Sequence, residues 1–197
     1  MRSSAQRLES SPPLSAAQWA ERGEDEPGEL VDGQIVAEEE VTWMHDETAA
    51  WLIGVLWPWL RERGGRVATS DVRYQIRLDR GRKPDLSIFL PGTPMPAPRS
   101  ALLTTPPTIA VEILSPRPSD IRRDRVEKLV DYAGFGVQWY WLVDPNVRLL
   151  EVFRLRAEGP SERVLGATEG EVLVPGCPGL TLDLDDLWRQ VDGGEEE

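Results

Sequence analysis

Two carboxylates stand where the hydrophobic pattern leaves no room for them. Residues 108–116 read TIAVEILSP, a run with the length and the Ile and Val content of a strand covered on both faces, yet Glu112 sits at its centre. A second apolar run, LSIFL, is opened by Pro84-Asp85. A carboxylate taken out of water needs a compensating cation, so each residue implies a partner. If the two strands are neighbours, both side chains converge at one edge of a sheet. Paired hard oxygen donors suit magnesium or manganese, which accept one or two carboxylates and fill the remaining positions with water or a substrate phosphate. An ion so held can activate water and neutralise charge on a phosphodiester during in-line displacement. Phosphodiester hydrolysis is the chemistry such a pair would do.

Composition adds a nudge towards a third group, a cation near the scissile phosphate. Of 22 basic residues only Lys83 and Lys128 are lysine, the first beside Asp85 and the second on the helical stretch after Glu112. Lysine is a compact charge whose pKa responds to burial, whereas arginine is a fixed fork. Each of these residues also has a plain structural explanation. Glu112 could be neutralised by Arg73 or Arg77 from a neighbouring strand, and Pro-Asp often marks a turn. Lys128 lies four residues after Asp124, the spacing of a solvent-exposed helical ion pair. The sequence leaves both readings open.

A formal net charge of -12 argues at first against nucleic acid as a partner. The charge is segregated, however. Residues 1–40 hold 10 acidic and 3 basic residues, and 157–197 hold 11 and 2, which leaves 41–156 with 13 acidic against 17 basic. An anionic ligand is expected at that basic centre. With 40% hydrophobic and 28% charged residues the 197-residue chain is globular in composition, long enough for one core over 13–191 with tails at 1–12 and 192–197. The longest apolar stretch, AAWLIGVLWPWL, is cut by Gly54 and Pro58, so no membrane span is expected. Cys177 is alone, which excludes an internal disulfide and a cysteine-rich metal site. No signal-peptide core is visible at the N-terminus, and a cytoplasmic location is the expectation.

Several elements must position the candidate groups. SAAQWAERG predicts a short helix, and GELVDGQIVAE two short strands around an Asp32-Gly33 turn. Apolar residues return at helical spacing from Met44 to about Arg63, with Pro58 as a kink or early end and Gly64-Gly65 as the stop. VATSDVRYQIRL alternates like one half-exposed strand, and RGRK reads as a basic turn into the strand that begins at Asp85. After TIAVEILSP, a helix capped by Ser119 and ended by Gly134 or Gly136 presents Ile121, Val126, Leu129, Val130 and Ala133 to a sheet. QWYWLVD and RLLEVFRLR read as paired strands, ERVLG and EVLVP as a further short hairpin, and Asp185 to Val191 as a helical turn. The order fits an α/β (mixed α+β) domain with a central mixed sheet, flanking helices and a β-α-β unit at 108–143.

RKPDLSIF, then VEILSP, then SDIRRDRVEKLVDYAGFGVQWYWLVDP and VFRL, in this order, resemble the Uma-two family of restriction endonucleases, a branch of the PD-(D/E)xK nuclease superfamily. The resemblance extends over roughly residues 25–190 and includes GELVDGQIV and the helix beginning near His45. It implies a restriction-endonuclease-like core, metal ligation by Asp85, Glu112 and the backbone carbonyl of Ile113, a magnesium or manganese cofactor, and DNA as substrate. The lysine that the superfamily places two residues after the glutamate is Leu114 here, and the resemblance implies its replacement by Lys128 from the following helix. An acid from the first helix reaches the metal in related nucleases, which makes Glu47 a candidate ligand; a solvated first-turn residue is the alternative. His45, the single histidine, could assist proton transfer or be merely structural. Lys83, Arg117, Arg122 and Arg123 are candidates for phosphate contact, although interleaved acids also describe a solvated face. Trp51, Trp57 and Trp59 on one helix hint at a homodimer. A nuclease fold retained as a binding or scaffolding module is the competing reading, and glycoside hydrolysis by the two carboxylates has no supporting feature.

Overall fold

In the computed structural model, which describes residues 12–22, 28–37, 42–117 and 122–193, three sheets, four α-helices and one π-helical turn surround the apolar runs. Both predicted tails fall largely outside the described residues, as do Ser119 and Ile121. Helix α1 (Ala16–Glu21) is fixed by a capping box in which Ser15 and Gln18 satisfy each other's backbone. Strands β1 (Glu29–Val31) and β2 (Gln34–Val36) follow, joined at Asp32 and Gly33, whose φ values of 50° and 77° are those of a tight hairpin turn. Helix α2 (Trp43–Arg63) starts at Thr42, whose hydroxyl accepts the His45 N–H, and stops at Gly64 in the left-handed conformation with φ 80°. Pro58 lies within it without ending it.

The large sheet has the order β10-β9-β8-β7-β6-β3, built from β3 (Arg66–Thr69), β6 (Leu86–Phe89), β7 (Ile109–Ile113), β8 (Trp139–Asp144), β9 (Leu149–Arg154) and β10 (Glu162–Ala167). Strands β7 and β8 run parallel in the register Ile109↔Trp139 to Ile113↔Val143, and the remaining pairs are antiparallel. Period-two alternation then decides what each side chain meets. Ile109, Val111 and Ile113 face Leu52, Leu56 and Leu60 of α2. Ala110 and Leu114, and with them Glu112, face the helical segment between β7 and β8. That segment is a π-helical turn, Arg123–Lys128, running into α3 (Leu129–Phe135), which Gly136 ends with φ 101°. Truncating any of the three α2 leucines to alanine removes a fully buried side chain and costs about 2–5 kcal/mol.

A smaller sheet, ordered β2-β1-β5-β4, adds β4 (Tyr74–Arg77) and β5 (Arg80–Arg82). Gly81 lies against Trp19 of α1 so closely that a Cβ would stand 2.2 Å from the indole. Strands β11 (Glu171–Leu173) and β12 (Thr181–Asp183) form a third ladder, and α4 (Leu184–Val191) packs with α2. Among the described residues no helix is long and apolar enough to cross a membrane.

Four expectations are corrected. The stretch 67–78 is not one strand: Ala68 pairs with Ser87 in the large sheet, the chain turns after Thr69, and Tyr74 pairs with Arg82 in the small one. Alternation reports a half-covered strand but not which sheet it joins. Residues 80–82 are strand β5 rather than a turn, the turn being Leu78-Asp79, because Arg80 and Arg82 find buried carboxylates instead of water. ERVLG and EVLVP do not pair with each other; β10 pairs with β9, and β11 with β12. Finally, Val126 and Val130 are 55% and 65% exposed, and the segment turns Asp124, Lys128, Asp131 and Tyr132 inward. A polar pocket receives Asp124 and Lys128, while Leu129 and Ala133 of the expected stripe pack on the apolar sheet face with Ala110, Leu114 and Tyr140.

Candidate active site

Strands β6 and β7 carry the two carboxylates to one place because their ladder stops early. Its last pair is Leu86↔Val111, so Glu112 and Ile113 extend past the end of β6. There the Asp85 side chain substitutes for a strand partner, Oδ2 accepting the Ile113 N–H at 2.6 Å. In an extended residue the carbonyl points to the same edge as the N–H, so the Ile113 carbonyl is directed towards the Asp85 side. The pairing with Arg73 or Arg77 considered for Glu112 does not occur. Glu112 Oε2 accepts from Lys128 Nζ at 2.8 Å and Oε1 from the Tyr132 hydroxyl at 2.6 Å.

The helical segment supplies both of those donors. Residues four apart share a face of a helical segment, here a π-helical turn with i→i+5 backbone bonds. Asp124, Lys128 and Tyr132 do so here, and Lys128 Nζ lies 2.9 Å from Asp124 Oδ1. The i,i+4 pair anticipated from the sequence therefore exists, but it is buried, with side chains 8% and 3% exposed, and the same ammonium reaches Glu112. Glu29 of β1 adds a third carboxylate, Oε1 standing 3.8 Å from Lys128 Nζ.

One ammonium among these acids is a negatively charged setting. Burial pushes the Glu112 carboxyl well above the usual range; Lys128 opposes this, and the charges of Asp85, Asp124 and Glu29 add to it. Burial likewise raises Asp124 against the pull of Lys128. For Lys128 burial disfavours the charge, but Glu112, Glu29, Asp124 and Asp85 outweigh it and hold the amine well above the usual lysine value. Lys128 thus remains an ammonium at neutral pH. Burial also raises Tyr132 well above the ordinary phenol value, which keeps its proton available to Glu112.

Glu29, Asp85, Glu112, Ile113, Asp124 and Lys128 line a cavity of about 150 Å³ together with His45, Asp46, Ser70, Asp71, Lys83, Ser115 and Arg123, with Tyr132 behind Glu112 and outside the lining. His45 Nε2 is 3.2 Å from Asp85 Oδ1, and the imidazole is 13% exposed. Glu47, by contrast, is not in this site: it accepts from Gln190 Nε2 at 3.2 Å, beside α4. The two residues are two apart on α2, which puts them on opposite sides of a helix. Of the phosphate-contact candidates, Lys83 and Arg123 line the cavity, whereas Arg117 and Arg122 are exposed outside its lining. Glu29 and Tyr132 were missed by sequence reasoning; Glu29 sits in an ordinary short-strand pattern, and Tyr132 looks like one more core aromatic.

Hard oxygens of Asp85, Glu112 and the Ile113 carbonyl are the donor set a divalent cation would meet. Among the described residues no three His, Cys, Asp or Glu side chains form a ready-made cage. An excess of buried acid beside this polar cavity fits a hard cation.

A mixed sheet with helices on both faces, carrying paired carboxylates where two neighbouring strands diverge, defines the class of fold. The crystal structure of a "putative nuclease belonging to DUF820" from Anabaena variabilis ATCC 29413 is similar to it with a TM-score of 0.71 at 19% identity, covering 91% of this chain and 99% of that one. No curated protein matches the chain. Residues 15–185 match the Uma2 family, described as "Putative restriction endonuclease", and the chain belongs to that family.

Proposed function

We propose that this chain is a cytoplasmic, metal-dependent endonuclease that hydrolyses DNA phosphodiester bonds, with Asp85, Glu112 and the Ile113 carbonyl as the ligands of magnesium or manganese. The observation that carries the reading is the convergence of Glu112, Lys128 and Asp85 at one cavity, with Lys128 Nζ 2.8 Å from Glu112 Oε2 although sixteen residues separate them. Family membership and the shared fold support it. The bound ion would supply a polarised water and charge neutralisation at the phosphate. Lys128, kept protonated by its acidic neighbours, acts as a donor and a positive charge towards phosphate or the attacking water; it does not take a proton from it. Tyr132 and Asp124 fix the Glu112–Lys128 geometry, His45 orients Asp85, and Lys83 and Arg123 contact phosphate from the cavity wall. A homodimer belongs to the same reading, favoured by Trp57, 51% exposed on α2. Trp51 and Trp59 serve the fold instead, the first donating to Asp186 at 2.8 Å and the second lying under Arg63.

The test is cleavage of plasmid DNA with magnesium or manganese by the wild type, Asp85→Ala and Glu112→Ala. Nicking by the wild type alone is expected, and cleavage that survives both substitutions overturns the assignment. A nuclease fold kept only for binding is favoured by one feature, the acidic Asp46 and Asp71 in the cavity wall, which repel phosphate. Calorimetric titration with manganese separates the two readings, because the binding module takes up no ion.

A further inference from the structure

Beside the site lies a charged cluster that neither the metal ligands nor the catalytic lysine accounts for. Arg82 of β5 is fully buried, at 0% exposure. Its Nη1 donates to Glu29 Oε2 at 2.7 Å, while Nε and Nη2 donate to Asp131 Oδ2 at 2.8 and 2.6 Å. Asp131 is further held by Arg80 Nη1 at 2.9 Å. Glu29 belongs to the small sheet, whereas Asp131 lies on α3, one turn beyond Lys128 and next to Tyr132. One guanidinium thus ties the small sheet to the helical segment that delivers the lysine.

Stability alone is a poor reason for such a cluster. Buried ion pairs commonly break even against well-packed apolar residues of the same volume, so a specific geometry is the better explanation. The free side of Glu29 shows what that geometry serves. Oε1 accepts the Lys83 N–H at 2.9 Å and points at Lys128 Nζ, 3.8 Å away. The ammonium therefore has carboxylates on three sides: Glu112 at 2.8 Å, Asp124 at 2.9 Å and Glu29 at 3.8 Å. Glu112 must also serve the cation in the proposed reaction, and whatever it gives up, Asp124 and Glu29 retain.

Resting on the nuclease reading above, we propose that Glu29 is a positioning residue for Lys128, and that Arg82, clamped by Asp131, is the group that aims it. The small sheet is then one wall of the active site rather than a peripheral addition. Glu29 acts through the lysine, with Oε2 committed to Arg82 and Oε1 to the Lys83 N–H.

The chain's two lysines make this measurable, since selective ¹⁵N labelling gives two Nζ signals and Lys83→Arg identifies the one from Lys128. In Glu29→Gln the Lys128 signal is expected to move and to exchange faster with water. Manganese-dependent cleavage falls roughly 10- to 100-fold in kcat, as for other residues that orient a catalytic group, with manganese affinity from calorimetry essentially unchanged. Glu29→Asp, which keeps the charge but retracts it, falls between the two and carries the test if Glu29→Gln does not fold. Folded variants with an unmoved Lys128 signal and wild-type kcat overturn the proposal. If the wild type itself does not cleave, the nuclease reading fails separately and the Lys128 signal alone decides: movement supports Glu29 as its positioning partner, and none refutes it.

Discussion

Replacing Lys128 by methionine keeps the length of the side chain and removes the one ammonium that Glu112 and Asp124 share. Glu29 retains Arg82, but Glu112 is left with the Tyr132 hydrogen bond and Asp124 loses a cation 2.9 Å away. Stranding carboxylates in this way costs about 3–5 kcal/mol, whereas loss of an exposed i,i+4 pair costs about 0.3–0.5. That difference of roughly tenfold makes the substitution decisive. It also carries a pH signature. Burial already raises Glu112 and Asp124 against the pull of Lys128, so without the lysine their folded-state values rise further above the unfolded ones. An acid raised in the folded state adds stability below its unfolded pKa and loses it as pH climbs through the folded value. Lys128 itself, raised above the lysine range, contributes unchanged throughout the acidic and neutral window. Urea denaturation of wild type and Lys128→Met should therefore show a smaller gap near about pH 4, where the two acids are protonated in both states, than at neutral pH, the gap widening as pH climbs through their folded-state values. A loss below about 0.5 kcal/mol at neutral pH, or an equal loss at both values, would refute the buried-cluster account.

His45→Ala, which removes the contact to Asp85, should lower metal-dependent cleavage by roughly tenfold, as loss of an orienting partner does, while Glu47→Ala cleaves like the wild type; a reversed pattern in plasmid assays would reinstate Glu47 as the group from α2. The double variant Val126→Lys, Val130→Lys should unfold within about 0.5 kcal/mol of the wild type, because both valines face solvent; a loss several times larger would place them against the sheet. In analytical ultracentrifugation the wild type should sediment as a dimer and Trp57→Glu as a monomer. A monomeric wild type removes the dimer from the reading.

What could be read from the residues followed from violations of pattern. Glu112 and Asp85 were visible because an apolar strand has no ordinary use for a carboxylate, and the β-α-β unit because its strands are continuous apolar runs. Lys128 was visible only as an alternative to a surface pair. Spacing of four fits both uses, and the deciding fact, which face of the helical segment turns inward, depends on the distant carboxylate of Glu112 that it meets, which spacing does not encode. Val126 and Val130 face solvent for the same reason: the inward positions beside them are taken by Asp124 and Lys128, and of the apolar stripe only Leu129 and Ala133 reach the sheet. Glu29 and Arg82 were invisible for a different reason. Each lies in a three-residue strand, the pairing Leu30↔Gly81 joins β1 to β5, and only that long-range contact brings a guanidinium to a glutamate 53 residues away.

The most direct test of the account is a crystal structure with manganese, located by its anomalous scattering. One strong peak is predicted in the cavity, within about 2.0–2.3 Å of Asp85 and Glu112 oxygens and the Ile113 carbonyl, with Lys128 still within hydrogen-bonding reach of Glu112. An empty cavity at saturating manganese, or an ion bound only elsewhere on the chain, would contradict it.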